Sequence, residues 1–326
     1  MTLLGVRGLH VWFDLPDGRE LHAVQDVAFD LDPRERMGLV GESGCGKTTT
    51  ILALMGLLPS SASVAGEVLL DGVNILERGE ETFRPHRWNE IAMVFQGAMN
   101  ALNPVKSVEQ QIVEPMELHH VAEGDAASKQ AGELLELVGI PAAAGARFPH
   151  EFSGGMRQRA AIAMALACSP TILLADEPTT ALDVMVQAQI LELLTKLSEE
   201  LGLALVLVTH DLPVVAQICD RAAVMYAGAI VESGPMDELF HSPRHPYTRL
   251  LFAATPDLYG DDPVLSIPGA PPRLDQDLIG CPFHPRCDKA FDRCRQERPE
   301  LLRIDATREA ACHLNDEVSW RGSRIG

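Results

Sequence analysis

The sequence predicts an α/β fold with a parallel sheet at its centre, and three features predict it. Short apolar runs at Met37 to Val40, Ile172 to Ala175 and Leu203 to Val208 each end in a polar or glycine signal, the pattern of strands buried on both faces. Helical patterns separate them, which places helices on both sides of the sheet. The best candidate for a membrane span, Ala160 to Ala175, contains Ser169 and Pro170 and is too short to cross a bilayer.

The bulk numbers narrow the function. At 326 residues, 46% of them apolar, the chain has the size of about two domains with sizeable cores. Its 27 Lys and Arg face 46 Asp and Glu, a formal charge of −19 that repels phosphate polymers, so nucleic acid is not an expected partner. The opening residues lack a basic segment followed by an apolar stretch and a cleavage site, so a cytoplasmic location is expected.

Along the chain, alternation of Leu9, Val11 and Phe13 predicts a half-buried strand. Ser107 and Gln110 form a capping box, and the helical pattern Asp125 to Val138 stops at Gly139 with Pro141 beyond. Residues 97–156 therefore read as a helical insertion. After Gly234, proline-rich segments at Ser242 to Pro246, Pro256 to Pro263 and Pro268 to Pro272 punctuate the chain. The expected division is 1–235 and 236–326, with no internal repeat.

Gly41-Glu-Ser-Gly-Cys-Gly-Lys47-Thr48 sits between the first apolar run and the helical pattern Thr49 to Leu58, the context a phosphate-binding loop requires. Gly41, Gly44 and Gly46 let backbone N–H groups around Ser43 and Cys45 turn toward phosphates, while Lys47 and the helix start at Thr48 and Thr49 add positive charge. The Thr48 hydroxyl is the candidate magnesium ligand. A plain glycine-rich turn is the structural alternative. The second half of such a site is an acid at a buried strand end. Asp176 and Glu177 leave the Ile172 run in different directions, so Asp176 can face magnesium while Glu177 serves as base to the attacking water.

Between these motifs lies Phe152-Ser153-Gly154-Gly155-Met156-Arg-Gln-Arg, opening the helical pattern Arg157 to Ala167. It resembles the signature sequence of the ATP-binding cassettes, with Phe152 and Met156 in place of the commonest Leu and Gln. The resemblance extends over 1–235 through Gln96 after a strand, Thr180-Ala-Leu-Asp183, and His210 at a strand end. It implies a P-loop core of RecA-like parallel sheet with an antiparallel N-terminal β-subdomain. It also implies that Ser153, Gly154 and Gly155 bind the γ-phosphate held by a second subunit, and that Asp183 reaches across that dimer. By the same resemblance Gln96 touches magnesium or water, His210 contacts the γ-phosphate, and Phe13 stacks on adenine. Packing in the core remains the alternative for Phe13. A cassette acting on DNA or ribosomes would need coiled-coil insertions, tandem cassettes or a basic surface, and a non-hydrolysing one would lack Glu177 or His210.

His241 to Leu251, Ile267 to Pro272 and Gly280 to Cys287 resemble the C-terminal extension of the dipeptide and oligopeptide importer ATPases. That resemblance implies a second, related ATPase subunit, two membrane permeases, an extracytoplasmic binding protein and a place on the cytoplasmic face of the membrane. Peptides are the implied cargo, with oligosaccharides or nickel as alternatives within the group. Cys281, Cys287, Cys294 and Cys312 crowd the extension, separated by five, six and seventeen residues, which fits neither common zinc nor ferredoxin spacing. The resemblance implies a [4Fe-4S] cluster on them; zinc, with His284 or His313 replacing a cysteine, and plain thiols are the other readings.

Overall fold

The computed structural model describes residues 2–77, 79–98, 101–254, 267–276 and 278–316. In chain order the strands are β1 (Leu4–Asp14), β2 (Glu20–Leu31), β3 (Arg36–Val40), β4 (Ala62–Leu70), β5 (Val73–Asn74), β6 (Ile91–Val94), β7 (Ile172–Asp176), β8 (Ala204–Thr209), β9 (Arg221–Tyr226), β10 (Ala229–Pro235), β11 (Leu302–Arg303) and β12 (Glu309–Ala310). The helices are α1 (Lys47–Leu54), α2 (Glu80–His86), α3 (Val108–Leu118), α4 (Gly124–Leu137), α5 (Gly154–Ala165), α6 (Val184–Leu201), α7 (Leu212–Ile218), α8 (Met236–His241), α9 (Pro246–Ala253) and α10 (Asp292–Gln296). The proline-rich stretch 256–263 lies outside the described residues, apart from which each expected motif can be located.

The three apolar runs are β3, β7 and β8, each within a residue of its expected span. They sit in one sheet where β9, β3, β8, β7 and β6 are neighbours and parallel. The sheet is mixed rather than purely parallel. β9 turns through Ala227 and Gly228, both at positive φ (51° and 83°), and this two-residue hairpin can only return β10 antiparallel. β12 and β11 then add to β10, so the extension lengthens the main sheet.

Strand alternation divides the core in two. In β8, Leu205 and Leu207 face a cluster with Ile162 of α5 and Leu194 of α6, while Val206 and Val208 face one with Ile51 of α1 and Leu9 of β1. One face of the sheet is therefore covered by helices, and the other by α1 together with an antiparallel sheet ordered β2-β1-β4-β5. The apolar alternation in β1 buries Leu9 and Val11 and leaves Phe13 half-buried.

Capping residues decide where the helices begin. Ser107 and Gln110 make the expected capping box of α3. α5 starts at Gly154, three residues before the expected Arg157, because the Ser153 hydroxyl accepts the Met156 N–H at 3.3 Å. α1 likewise starts at Lys47 and ends early, at Leu54, where Gly56 adopts φ 60°.

Tyr247, Phe252 and Phe283 of the extension pack in the same cluster as the sheet's helical face. Their entry is fixed by Glu232 of β10, fully buried, whose carboxylate accepts the backbone N–H groups of Arg244 at 2.7 Å and His245 at 2.8 Å. Burial raises the pKa of Glu232 and these two bonds act against it. Glu232→Ala should lower stability by about 2 kcal/mol, since it strands two backbone donors in the interior. Thermal denaturation reads the loss, and limited proteolysis should show earlier cleavage within α8 and α9.

Candidate functional site

Parallel order lines up the strand ends. β3 runs into Gly41, β8 into His210, β7 into Glu177 and β6, two residues on, into Gln96, so the carboxyl edge of the sheet carries groups from four separate motifs. A cleft of about 450 Å³ opens there, lined by Phe13, Ser43, Gly44, Gly46, Lys47, Thr48, Thr49, Gln96 and Glu177.

The loop from Gly41 to Gly46 is packed too tightly for side chains at two of its glycines. A Cβ on Gly41 would lie 2.3 Å from the Met225 carbonyl oxygen, and one on Gly46, at φ 105°, would lie 2.6 Å from that of Ala23. Lys47 is buried and its Nζ donates to the carbonyls of Gly41 (2.8 Å) and Glu42 (3.0 Å), so its ammonium is held at the mouth of the loop. The Cys45 thiol is also buried, and burial raises its pKa.

Thr48 Oγ1 donates to Asp176 Oδ1 at 3.2 Å. Asp176 is 0% exposed, and its other oxygen, Oδ2, is buried without a hydrogen-bond partner among the described residues. Burial chiefly, with the neighbouring Glu177 charge, pushes its pKa up to about 6 although the Thr48 bond and Lys47 pull the other way. A hydroxyl and a carboxylate with an unused oxygen are the donor set a hard divalent cation takes.

Glu177 has φ 42°, a left-handed backbone that turns its side chain away from Asp176. Its Oε2 accepts from Gln96 Nε2 at 2.8 Å and Thr180 Oγ1 at 2.9 Å, and its Oε1 lies 3.0 Å from His210 Nδ1. Burial would raise its pKa, yet the bonds from His210 and Thr180 outweigh that and hold it below the usual glutamate range. Glu177 is therefore ionised at neutral pH.

Ser153, Gly154, Gly155 and Asp183 do not line this cleft. Ser153 caps α5 and Asp183 caps α6, its carboxylate accepting the Val186 N–H at 3.0 Å. A Cβ on Gly155 would meet the Val186 side chain at 2.7 Å, so the starts of α5 and α6 lie together.

Residues 24–180 match the family model described as ABC transporter, and residues 231–294 match that described as oligopeptide/dipeptide transporter, C-terminal region. A probable peptide ABC transporter ATP-binding protein of Sinorhizobium fredii is 46% identical over 322 residues, covering 97% of this chain and 96% of that protein. The chain belongs to the ABC transporter ATP-binding family. The oligopeptide transport ATP-binding protein OppD of Haemophilus influenzae is 43% identical over 318 residues, covering 97% of this chain and 98% of its own. Among solved structures, the dimeric post-hydrolysis state of the cassette MJ0796 bound to ADP and Pi superposes with TM-score 0.64 at 28% identity, over 72% of this chain and 98% of that one. The chain is an ABC-type ATP hydrolase. No helix among the described residues is long and apolar enough to cross a membrane.

Two groups of residues in the ATPase were not given roles by sequence. Pro271, Pro272 and Leu274 of the extension line the cleft near Phe13; their proline spacing reads only as a chain break. Thr180 lies three residues after Glu177 and braces it, a contact that becomes visible only once the left-handed turn is known. In the extension, Cys281, Cys287, Cys294 and Cys312 line one small cavity, together with His284 and His313. Burial and then the other three thiols push Cys312 up to about 12. Among the described residues no set of three or more Cys, His, Asp or Glu is grouped so as to hold a metal ion. His284 Nδ1 is occupied by the Cys281 carbonyl at 2.8 Å and His313 Nε2 by that of Glu297 at 3.0 Å.

The raised pKa of Asp176 gives a signed prediction. Its neutral form is the one the metal-free fold prefers, so the metal-free ATPase should lose stability as pH rises from about 4 toward 6. Asp176→Asn removes that loss. Its thermal midpoint at pH 7.5 should exceed the parent's by a few degrees without metal, while magnesium-dependent hydrolysis falls at least about a hundredfold.

Proposed function

We propose that the chain is the ATP-hydrolysing subunit of an importer that takes up dipeptides and oligopeptides. The observation that carries this is the joint presence of an ordered hydrolytic edge and an extension of the peptide-transporter type in one chain. The relatives named for peptide transport match nearly the whole length, extension included.

In this reading Gly41, Ser43, Gly44, Cys45, Gly46, Lys47, Thr48 and Thr49 hold the phosphates of ATP, and Phe13 supplies a flat face for adenine. Thr48, Asp176 and Gln96 hold magnesium, which when bound neutralises phosphate charge. Glu177 takes the proton of the attacking water, a role that suits its ionised state. Gln96, Thr180 and His210 orient its carboxylate, and His210 meets the γ-phosphate. Ser153, Gly154, Gly155 and Asp183 lie outside the cleft of their own chain. They are free to complete the site of a second cassette, identical or related, with closure passed to two permeases at the cytoplasmic face and substrate delivered by an extracytoplasmic binding protein. The division near residue 235 separates this ATPase unit from the extension, and the helical part at 97–156 carries the signature to the partner.

For the four cysteines we infer a [4Fe-4S] cluster. Four thiols around one cavity, with burial and then neighbouring thiols raising the pKa of Cys281, Cys287 and Cys312, suit a bound group that takes them as thiolates. Zinc with a histidine ligand would need His284 or His313 to bind through its second ring nitrogen, the first being hydrogen-bonded to a backbone carbonyl, and metal analysis distinguishes it from the cluster. Anaerobic purification should give a brown protein with about four irons per chain; a colourless, iron-free protein with reduced thiols would overturn it.

Glu177→Gln should abolish turnover, by about a thousandfold or more, while ATP binding persists and a closed dimer accumulates. Undiminished hydrolysis in that variant would remove Glu177 from its role. The cargo is tested by ATPase activity of the membrane assembly purified through this chain, with its binding protein supplied in turn with a peptide library, oligosaccharides or nickel. Stimulation by peptides is expected; stimulation by sugars or nickel alone would keep the ATPase and discard the peptide assignment.

A further inference from the structure

One residue of the phosphate-binding loop is gripped by the C-terminal extension. Glu42 follows the first loop glycine, and each of its polar groups has a separate partner. Its backbone N–H donates to the Tyr247 hydroxyl at 2.9 Å, its carbonyl accepts Lys47 Nζ at 3.0 Å, and its carboxylate receives the Arg286 guanidinium through two bonds of 2.6 and 2.9 Å. Two of these three ties come from beyond residue 235.

Both ties come from the interior. Tyr247 is fully buried at the start of α9, where its own N–H donates to His245 Nδ1 at 3.0 Å. The Arg286 side chain is 5% exposed. Its Nε donates to the Pro268 carbonyl at 2.7 Å, its Nη1 also reaches the Tyr226 hydroxyl at 3.3 Å, and the guanidinium carbon lies 5.8 Å from the Tyr226 ring centre. Tyr226 in turn packs on Tyr247 at 4.6 Å and edge-on to Phe283 at 5.2 Å. A guanidinium buried this deeply is tolerable only because a carboxylate meets it in fork geometry, and that carboxylate belongs to the loop.

The turn that presents Arg286 is closed by short local bonds, His284 N–H to the Cys281 carbonyl at 3.0 Å and Arg286 N–H to that of Phe283 at 3.0 Å. It therefore runs from one cysteine of the cluster to the next. The extension's aromatic core, its cysteine turn and the loop form one packed unit.

We propose that Arg286 and Tyr247 are positioning residues of the ATP site: by fixing Glu42 they hold the loop in the conformation from which Lys47 and the backbone donors meet phosphate. The inference rests on the reading of residues 41–48 as the ATP site. It assigns the extension a part in nucleotide affinity, and it gives His245-Pro246-Tyr247 a task, since the first residue orients the third and the third holds the loop.

The test is the steady-state ATPase of the assembled transporter, with KM for ATP and kcat resolved, together with magnesium-ATP titration of the full-length chain. Arg286→Met should raise KM by roughly tenfold with kcat within about twofold, the pattern of lost ground-state binding. Arg286→Lys should fall between, because an ammonium cannot span both oxygens. Glu42→Gln with Arg286→Met should be no worse than the more affected single variant, because both break one pair. Should Arg286→Met fail to fold, Tyr247→Phe keeps the ring and loses only the hydroxyl, and it should still raise KM about threefold or more. Unchanged KM in Arg286→Lys and Tyr247→Phe, with only the melting temperature lowered, overturns the proposal. Lys47→Ala separates the two levels: retained ATP binding there overturns the ATP-site reading, whereas binding lost there with KM unmoved in the other variants overturns this inference alone.

Discussion

A phosphate-binding loop must leave a strand, bend so that several N–H groups face one point, and enter a helix, all within a few residues. That demand shapes the rest of the molecule. β3 has to be central and buried so that its end is fixed, and here it lies between β8 and β9. The loop has to pass so close to β9 that the Met225 carbonyl occupies the space a side chain at Gly41 would need. Because neighbouring strands run parallel, their ends arrive beside the loop, and residues distant in sequence become one site.

The electrostatics of that edge are divided between two adjacent acids. Asp176, sealed under the sheet end, has its pKa pushed up to about 6 by burial and has an oxygen to spare. Glu177, turned outward by a left-handed backbone, collects three donors and stays ionised. Charge that is costly in the first position would be offset by a cation, whereas in the second it is already offset by hydrogen bonds. A single peptide unit separates groups with opposite tendencies, since burial dominates one and hydrogen bonding the other.

The extension is coupled to this edge at two places. Pro271, Pro272 and Leu274 form part of the wall of the cleft, and Glu42 is held from below by Tyr247 and Arg286. β12 adds to β10 of the main sheet, and Glu232 clamps the chain where α9 begins. Hydrogen bonding and burial thus connect the cysteine-bearing segment with the loop that follows β3.

The sequence by itself determined the parallel centre, the loop, the two acids and the order of the motifs. Each of these is local: an apolar run of four to six residues, a glycine at fixed spacing, or a cap such as Ser107 with Gln110 has the same physical meaning wherever the chain later goes. It also made the four cysteines visible as a group, through their crowding alone. Tertiary structure decided what depends on approach between distant segments. The antiparallel return of β10 followed from positive φ at Ala227, a residue type that does not advertise it. The division of labour between Asp176 and Glu177 depended on which was buried. The carboxylate of Glu42 acquired its partner only when Arg286, 244 positions later, was folded beneath it, because the pairing of a buried charge is a property of what surrounds it and not of its neighbours in the chain.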